Sequence, residues 1–257
     1  MKSHHYIIAG VTGYLLFLLL LTPAASVISL LNLPAKTISL SGITGSIWSG
    51  QVAQAQIKSQ PVEAISWSLK PLSLFAGNIS TKLQATVFES PVNGRLNYSY
   101  IDSSTSLYDV SSYLKADALQ KKLNLPFGEI AGNLKLNFEQ IIIKSKALPA
   151  MSGEIKWSNA QLTLADKISF GDILLSINPD DAGNLSGKLS NTGGELIING
   201  DITVTAKSIY TLRISLKPRA NASAELLSII KLIAPRKEKD QHVINKSGHL
   251  RQLGIKL

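Results

Sequence analysis

After residue 35 the chain consists mainly of short runs in which apolar and polar residues alternate. Residues 65–70 and 130–138 are typical, because every second side chain is apolar, which is the period of a half-buried strand. Turn-forming residues, as in 178–184, separate the runs at intervals of about 8–12 residues, which indicates consecutive antiparallel strands. The pattern predicts a mainly β domain of roughly a dozen or more strands.

The same pattern gives approximate bounds for each element. The expected strands cover residues 36–40, 79–88, 95–100, 130–138, 153–157, 161–164, 168–177, 185–189, 195–198, 202–205 and 210–216. Asn93-Gly94 predicts a hairpin turn. Residues 113–123 and 222–234 have helical spacing and predict two helices that pack on the sheet, with Asn221 as N-cap of the second and Pro235 after its end.

The most distinctive segment spans residues 41–77 and contains two of the three tryptophans. Its glycines favour a turn that leads into a short strand: Gly42, Gly45 and Gly50. Pro71 cannot donate to a strand ladder, so we expect it to end the strand that contains Trp67. The side chains expected in the core are Trp48, Trp67, Leu69, Phe75, Phe138 and Trp157.

The N-terminal region carries no charged residue from Tyr6 to Ala35. Residues 7–31 supply the roughly 20 apolar positions that a membrane-spanning helix needs, and Lys2 lies in front of them. The positive-inside tendency then predicts a cytoplasmic tail at 1–5, a transmembrane anchor at 6–33 and the remainder outside the membrane. A cleaved signal peptide is the alternative, with a candidate site at 24–26, but the apolar character resumes beyond it, which favours an uncleaved anchor.

The composition narrows the function classes. The chain has no cysteine, which excludes disulfide scaffolds, thiol catalysis and zinc–thiolate sites. Its formal net charge is +9, but no nucleic-acid-binding signature accompanies the charge. An anionic membrane surface, lipid headgroups or acidic partner proteins therefore fit the charge better than nucleic acid does.

No motif in the sequence indicates catalysis. The nucleophile elbow, the phosphate-binding loop and the dinucleotide-binding glycine pattern are all missing from the sequence. His242 and His249 are seven residues apart, which puts them on opposite faces of a continuous strand and makes them a poor metal pair. Asp180-Asp181 lacks the ligand spacing of a calcium loop. We therefore predict no catalytic residues, no metal and no cofactor.

Several short motifs together resemble one known family. The order Gly-x-x-Gly-x-x-Trp-x-Gly in 42–50, followed by Trp-x-Leu-x-Pro-Leu-x-Leu-x-x-Gly in 67–77, is similar to the type II secretion system protein N family. Residues 183–200, 216–219 and the tail 242–250, which looks like the family's final strand, agree with the same pattern. The family-like structural positions are Gly42, Gly45, Trp48, Gly50, Trp67, Leu69, Pro71, Leu72, Gly77, Gly153, Trp157, Gly194, Gly200 and Pro218.

The resemblance implies a function. It implies a single-pass bacterial inner-membrane protein whose residues 36–257 form a periplasmic β domain. It also implies a non-enzymatic part of the type II secretion system that supports the export of folded proteins across the outer membrane. Expected partners are the secretin and the inner-membrane platform, which strand edges could engage through backbone groups.

Two alternatives from other classes stay open at this stage. The first is a lipid-binding or lipid-transferring module similar to AsmA-like proteins, which implies a long sheet curved into a groove. The second is a periplasmic enzyme, which would require a histidine to cluster with a serine and a carboxylate.

The sequence also contains a weak internal similarity. Residues 65–71 resemble 212–218, which raises the hypothesis of two halves at 36–147 and 150–257. Chance similarity between alternating strands is the competing explanation.

Overall fold

The computed structural model describes residues 3–30, 38–57, 60–123, 128–144 and 147–253. The chain divides into two compact units, Met1–Val87 and Phe88–Leu257, which we describe in turn.

The first unit begins with two helices, α1 Ser3–Leu21 and α2 Ala24–Leu30. The sequence predicts one continuous apolar segment here, but Pro23 lacks the N–H that a helix interior needs, and the helix ends before it. Thr22 and Pro23 instead lie against the turn after the first strand: the Thr22 carbonyl accepts the Ile47 N–H at 3.2 Å, and Pro23 bridges to Ser46. Positions 31–33 of the expected anchor lie outside the described residues. Among the residues that are described, no helix combines the length and the apolar character that a membrane crossing requires.

Four antiparallel strands follow in the first unit, in the spatial order β1-β2-β3-β4. Their bounds are β1 Ile38–Gly45, β2 Ser49–Ile57, β3 Gln60–Leu69 and β4 Asn78–Val87. A short 3-10 helix, Pro71–Ala76, connects β3 to β4 and is called helix 71–76 below. The prediction that Pro71 ends the preceding strand is confirmed, because β3 stops at Leu69.

The second unit is also an antiparallel sheet, in the order β5-β6-β7-β8-β9-β10-β11-β12-β14-β13. Its strands are β5 Ser90–Ser99, β6 Thr105–Lys115, β7 Glu129–Ile143, β8 Ala150–Thr163, β9 Lys167–Pro179, β10 Leu185–Thr192, β11 Leu196–Val204, β12 Ile209–Pro218, β13 Arg236–Glu238 and β14 Gln241–His249. Its helices are α3 Ala116–Leu123 and α4 Ala224–Ile233, with a 3-10 turn at Leu250–Leu253. The prediction of a mainly β, antiparallel fold with few helices is therefore confirmed.

Three local predictions differ from the structure. The helix expected from residue 113 begins at Ala116, because residues 113–115 continue β6 and pair with β7. Ser223, not Asn221, is the N-cap of α4, since its side chain accepts the Leu226 N–H. The expected hairpin turn at Asn93-Gly94 is wrong: both residues lie inside β5, where the register against β6 shifts. The two turn-forming residues therefore coincide with a β-bulge or similar irregularity of the strand and not with a reversal of the chain.

The core of the second unit lies where α4 packs on the sheet. Buried apolar residues of the helix and its C-cap meet those of three strands: Leu226, Ile230 and the C-cap Ala234 cluster with Ile168, Leu196, Ile198 and Leu216. Leu226 and Ile230 are four residues apart and therefore share one face of α4. Ile233 follows Leu226 by seven residues, and this spacing predicts that it lies on the same face. That prediction is wrong, because Ile233 is 53% exposed.

The predicted core residues outside α4 are less buried than expected. The side chains of Trp48, Trp67, Trp157, Phe138 and Leu69 are half-buried. Phe75 is 90% exposed, so its predicted burial is wrong. The reason is positional: Phe75 belongs to helix 71–76 and not to a strand whose side chains point into a core.

The proposed boundary between halves at 147–150 falls inside the second unit, between the paired strands β7 and β8. The duplication stays a prediction.

Candidate functional site

The family-like residues of the first unit converge on the turn between β1 and β2. Ser46 organises this turn, because its hydroxyl oxygen accepts the backbone N–H groups of Trp48 and Ser49, each at 3.3 Å. The Ser46 N–H donates to the Ser49 carbonyl at 2.9 Å and closes the loop. We call residues 45–50 together with 67–69 the tryptophan corner.

Gly50 and Trp67 form a matched cross-strand pair. They are direct partners in the register of β2 and β3. A Cβ atom added to Gly50 would lie 2.8 Å from the Trp67 Cη2 atom and 2.7 Å from the Thr44 carbonyl oxygen. The indole ring therefore occupies the space that any other residue at position 50 would need.

Hydrogen bonds fix the same ring in place and extend the corner. The Trp67 indole N–H donates to the Ile47 carbonyl at 3.0 Å. The Trp48 carbonyl accepts the Leu69 N–H at 2.7 Å. Because Ile47 also donates to Thr22, the corner links the end of α1 to the end of β3 through backbone groups. This arrangement gives a rigid junction, and its groups are structural in character.

Helix 71–76 follows the corner directly. Pro71 occupies its first position, and Gly77, at φ 72°, ends it. Ser73 binds it to the sheet: its hydroxyl donates to the Lys70 carbonyl at 2.6 Å and accepts the Ser80 N–H at 3.1 Å. Of the family-like positions, the structure thus brings Gly45, Trp48, Gly50, Trp67 and Leu69 together and places Pro71, Leu72 and Gly77 beside them. Gly42 lies three residues before Gly45 in β1 and packs against Ala53.

An open cleft of about 490 Å³ adjoins the corner. Its lining includes Ser66, Ser68, Gln84 and the ammonium-bearing Lys82. These groups can donate to and accept from a polar peptide or bind an anion. They do not supply a paired general acid and base.

The family-like residues of the second unit are spread over several strands. Trp157, in β8, makes the same kind of hydrogen bond as Trp67: its indole N–H donates to a backbone carbonyl, that of Ala131, at 3.0 Å. Gly153 lies four residues earlier on the same strand and packs against Phe138. The structure does not bring these residues together with the others: Gly194 lies in the turn between β10 and β11, Gly200 in β11 and Pro218 at the end of β12.

The turn at Gly194 contains a carboxylate that the sequence does not single out. Glu195 accepts the Ser169 N–H at 3.0 Å and the Ser223 N–H at 2.9 Å, so it joins β9 to the start of α4. Burial raises the pKa of this carboxyl, but these two backbone donors and the side chain of Ser223 together outweigh burial and hold the pKa below the usual range. Asn191 reinforces the turn, donating to the Phe170 and Leu196 carbonyls and accepting the Ile198 N–H.

The residues considered for metal or catalytic chemistry have local structural partners. The His242 Nδ1 atom lies 2.8 Å from the Ala234 carbonyl at the end of α4, and the His249 Nδ1 atom accepts the Arg251 N–H at 3.3 Å. Asp180 caps its own turn through the side-chain amide and backbone N–H of Asn184, which lower the pKa of its carboxyl. Within the described ranges, no three His, Asp or Glu side chains are grouped so that they could hold a metal ion.

Two features of the site were missed from the sequence. Helix 71–76 had a usable signal, since Pro at its first position and Gly just after its end are typical of short helices. No sequence signal indicates the role of Glu195, because its hydrogen-bond partners lie 26 and 28 residues away along the chain.

Comparison with known proteins adds independent findings. The family model for type II secretion system (T2SS), protein N matches residues 36–245. A curated protein from Aeromonas hydrophila, named type II secretion system protein N, is 28% identical over 213 residues, which cover 80% of this chain and 82% of the relative. No solved structure matches the chain. The lipid-handling alternative receives no support from these comparisons.

Proposed function

Because the chain belongs to the type II secretion system protein N family, we propose that it is a non-enzymatic, inner-membrane-anchored periplasmic component of that system. In this role it supports the export of folded proteins across the outer membrane. The observation that carries the proposal is the family match over residues 36–245, which includes nearly all of the β part of the chain. The structural character of the tryptophan corner is consistent with a scaffold.

The proposed topology has a cytoplasmic tail at 1–5, a membrane anchor within 6–33 whose spanning part is α1, and a periplasmic domain at 36–257. It is supported by the uncharged stretch from Tyr6 to Ala35. It is also supported by exposed apolar side chains of α1 that lipid would stabilise: Ile7, Ile8, Tyr14 and Phe17 are each about 60% exposed. The tryptic peptide 3–36, recovered from the purified mature chain, would establish that the anchor is retained. A chain that starts after residue 25 would establish cleavage.

The proposed partners are the secretin and the inner-membrane platform, and β1 is the proposed contact. It is first in the strand order of its unit and pairs with β2. Its exposed side chains include Ser39 and Ser41, which would not hinder the approach of another strand. By contrast, β13, which is last in the strand order of the second unit, has three residues, two of them Arg236 and Lys237, a composition that discourages strand addition.

The experiment uses the full chain in host membranes solubilised with mild detergent. A photo-cross-linking residue replaces Ser39 on β1, and a matched control replaces Gln60, an exposed residue of β3, which is an inner strand that pairs with both β2 and β4. Mass spectrometry should find secretin or platform subunits with the purified protein and cross-linked products from position 39. The proposal of a scaffold would be refuted by an intact protein that purifies without any secretion subunit. Cross-links from position 60 alone would refute only the assignment of β1.

A further inference from the structure

We propose that helix 71–76 is a second, interfacial membrane contact, in which Leu72 and Phe75 insert into the headgroup region of the bilayer that holds α1. The inference deepens the proposed function, because it rests on α1 being a membrane anchor. It assigns a ligand, the surface of an anionic bilayer, to a segment otherwise described only as a connection between β3 and β4.

The first observation is that helix 71–76 has its apolar side outward. A 3-10 helix has three residues per turn, so Leu72 and Phe75 lie on one side of it. Their side chains are 80% and 90% exposed. Ser73, a small polar residue, faces the sheet through its hydrogen bonds to Lys70 and Ser80. A helix that packs on its own protein has the opposite arrangement, with its apolar residues inward.

The second observation is that this apolar pair is presented by a fixed backbone. Pro71 restrains the first turn, and Gly77 closes the last one with its N–H directed to the Leu74 carbonyl. Together with the two Ser73 bonds, these constraints hold the helix before any ligand arrives. Binding therefore does not have to order the segment, which reduces its entropic cost.

The third observation places the helix near the end of α1. Thr22 follows α1 and is bonded to Ile47, whose neighbour Trp48 is bonded to Leu69, two residues before Pro71. With about 5 Å for each hydrogen-bonded step and about 3.8 Å for each residue, the path from Thr22 to Pro71 is about 21 Å long at most. A bilayer that surrounds α1 therefore has its surface within reach of helix 71–76.

The charges near the helix select an anionic surface. Lys70 immediately precedes the helix and is exposed, and Lys82 lies on β4 opposite Ser68. The helix itself contains no acidic residue. An apolar pair flanked by lysines is the combination that binds the interface of membranes with anionic lipids, where each basic residue near the surface adds to the attraction.

The experiment exploits the lack of cysteine in the chain, so that a single introduced cysteine is labelled uniquely. Full-length Leu72→Cys and Phe75→Cys variants carry an NBD fluorophore and are reconstituted into vesicles of phosphatidylethanolamine and phosphatidylglycerol. Tyr14→Cys in α1 reports the anchor. Gln60→Cys is the matched exposed control, since it lies at the far end of β3, about 30 Å from helix 71–76. Lipids with a shallow or a deep doxyl group serve as quenchers.

The expected result is a blue-shifted NBD emission at positions 72 and 75 that shallow-doxyl lipids quench, while the label at position 60 keeps its emission. Quenching of the position 14 label by deep-doxyl lipids supports the anchor separately. If position 14 is quenched but positions 72 and 75 behave like position 60, the inference is overturned and the proposed anchor stands. If position 14 is not quenched, the anchor fails. Equal quenching at 72 and 75 in phosphatidylcholine vesicles would overturn the part assigned to Lys70 and Lys82.

Discussion

The indole N–H of Trp67 donates to the backbone carbonyl of Ile47 at 3.0 Å, across 20 residues of chain. The bond joins β3 to the turn between β1 and β2, at the point where Thr22 also binds that turn. The family-like tryptophan thus holds together the place where the N-terminal helices meet the sheet. Its importance lies in this junction rather than in complete burial, since its side chain is half-buried.

Substitution of Trp67 should separate its hydrogen bond from its packing. Trp67→Phe removes the indole donor and should cost about 1 kcal/mol of unfolding free energy. Trp67→Ala removes the ring as well and should cost about 2–3 kcal/mol, below the roughly 3–5 kcal/mol of a fully buried aromatic side chain. Urea denaturation measures both. Lost secretion by Trp67→Ala with unchanged stability would show instead that Trp67 contacts a partner.

Two adjacent glycines should respond differently to the same change. Gly193 and Gly194 have positive φ angles of 76° and 74°, so an alanine at either position incurs about 1–2 kcal/mol of backbone strain. A Cβ atom at position 194 would in addition lie 2.6 Å from the Gly171 nitrogen, whereas at position 193 the nearest atom is 3.9 Å away. Gly194→Ala should therefore destabilise the protein by at least about 1 kcal/mol more than Gly193→Ala. Equal denaturation midpoints for the two variants would contradict the close approach at Gly194.

The stability contributed by Glu195 should depend on pH. Burial raises the pKa of its carboxyl in the folded state, but the hydrogen bonds from Ser169 and Ser223 outweigh burial, so the folded-state pKa is lowered. The contribution is therefore fully present above the unfolded-state pKa of about 4.3, and is lost as the pH falls through the lower folded-state pKa. In urea titrations across acidic pH, the stability difference between the wild type and Glu195→Gln should shrink in this window. A difference that persists unchanged into strong acid would contradict the assignment.

Exposed and buried apolar residues on the helices should differ in their effect on folding. Ile230→Ala removes a side chain that is 1% exposed in the α4 core and should cost about 2–5 kcal/mol. Phe75→Ser changes a side chain that is 90% exposed and should alter stability by no more than about 0.5 kcal/mol. Thermal unfolding of the two variants makes the comparison. A large loss of stability with Phe75→Ser would mean that this ring packs against the protein, which would remove the basis for its proposed insertion into a membrane.

The strands were predictable because their signal is local. Side chains two residues apart share a face, so alternation in 168–177 or 210–216 is sufficient to identify β9 and β12. The end of β3 was predictable for the same reason, since Pro71 lacks a donor wherever it is placed. The wrong prediction at Asn93-Gly94 shows the limit of local reasoning. This dipeptide favours a turn, but pairing with β6 keeps both residues inside β5.

By itself, the sequence determined the antiparallel β class, the apolar N-terminal segment and the family, because each of these depends on residue types at fixed spacing. The tertiary structure alone decided that Phe75 points away from the protein and that Glu195 binds β9 to α4. It also decided that α1 ends on the turn held by Trp67. The last two outcomes depend on contacts between residues 20 or more positions apart, such as Trp67 with Ile47. The geometry of such contacts is set by how strands pair and pack, and not by any pattern within one segment.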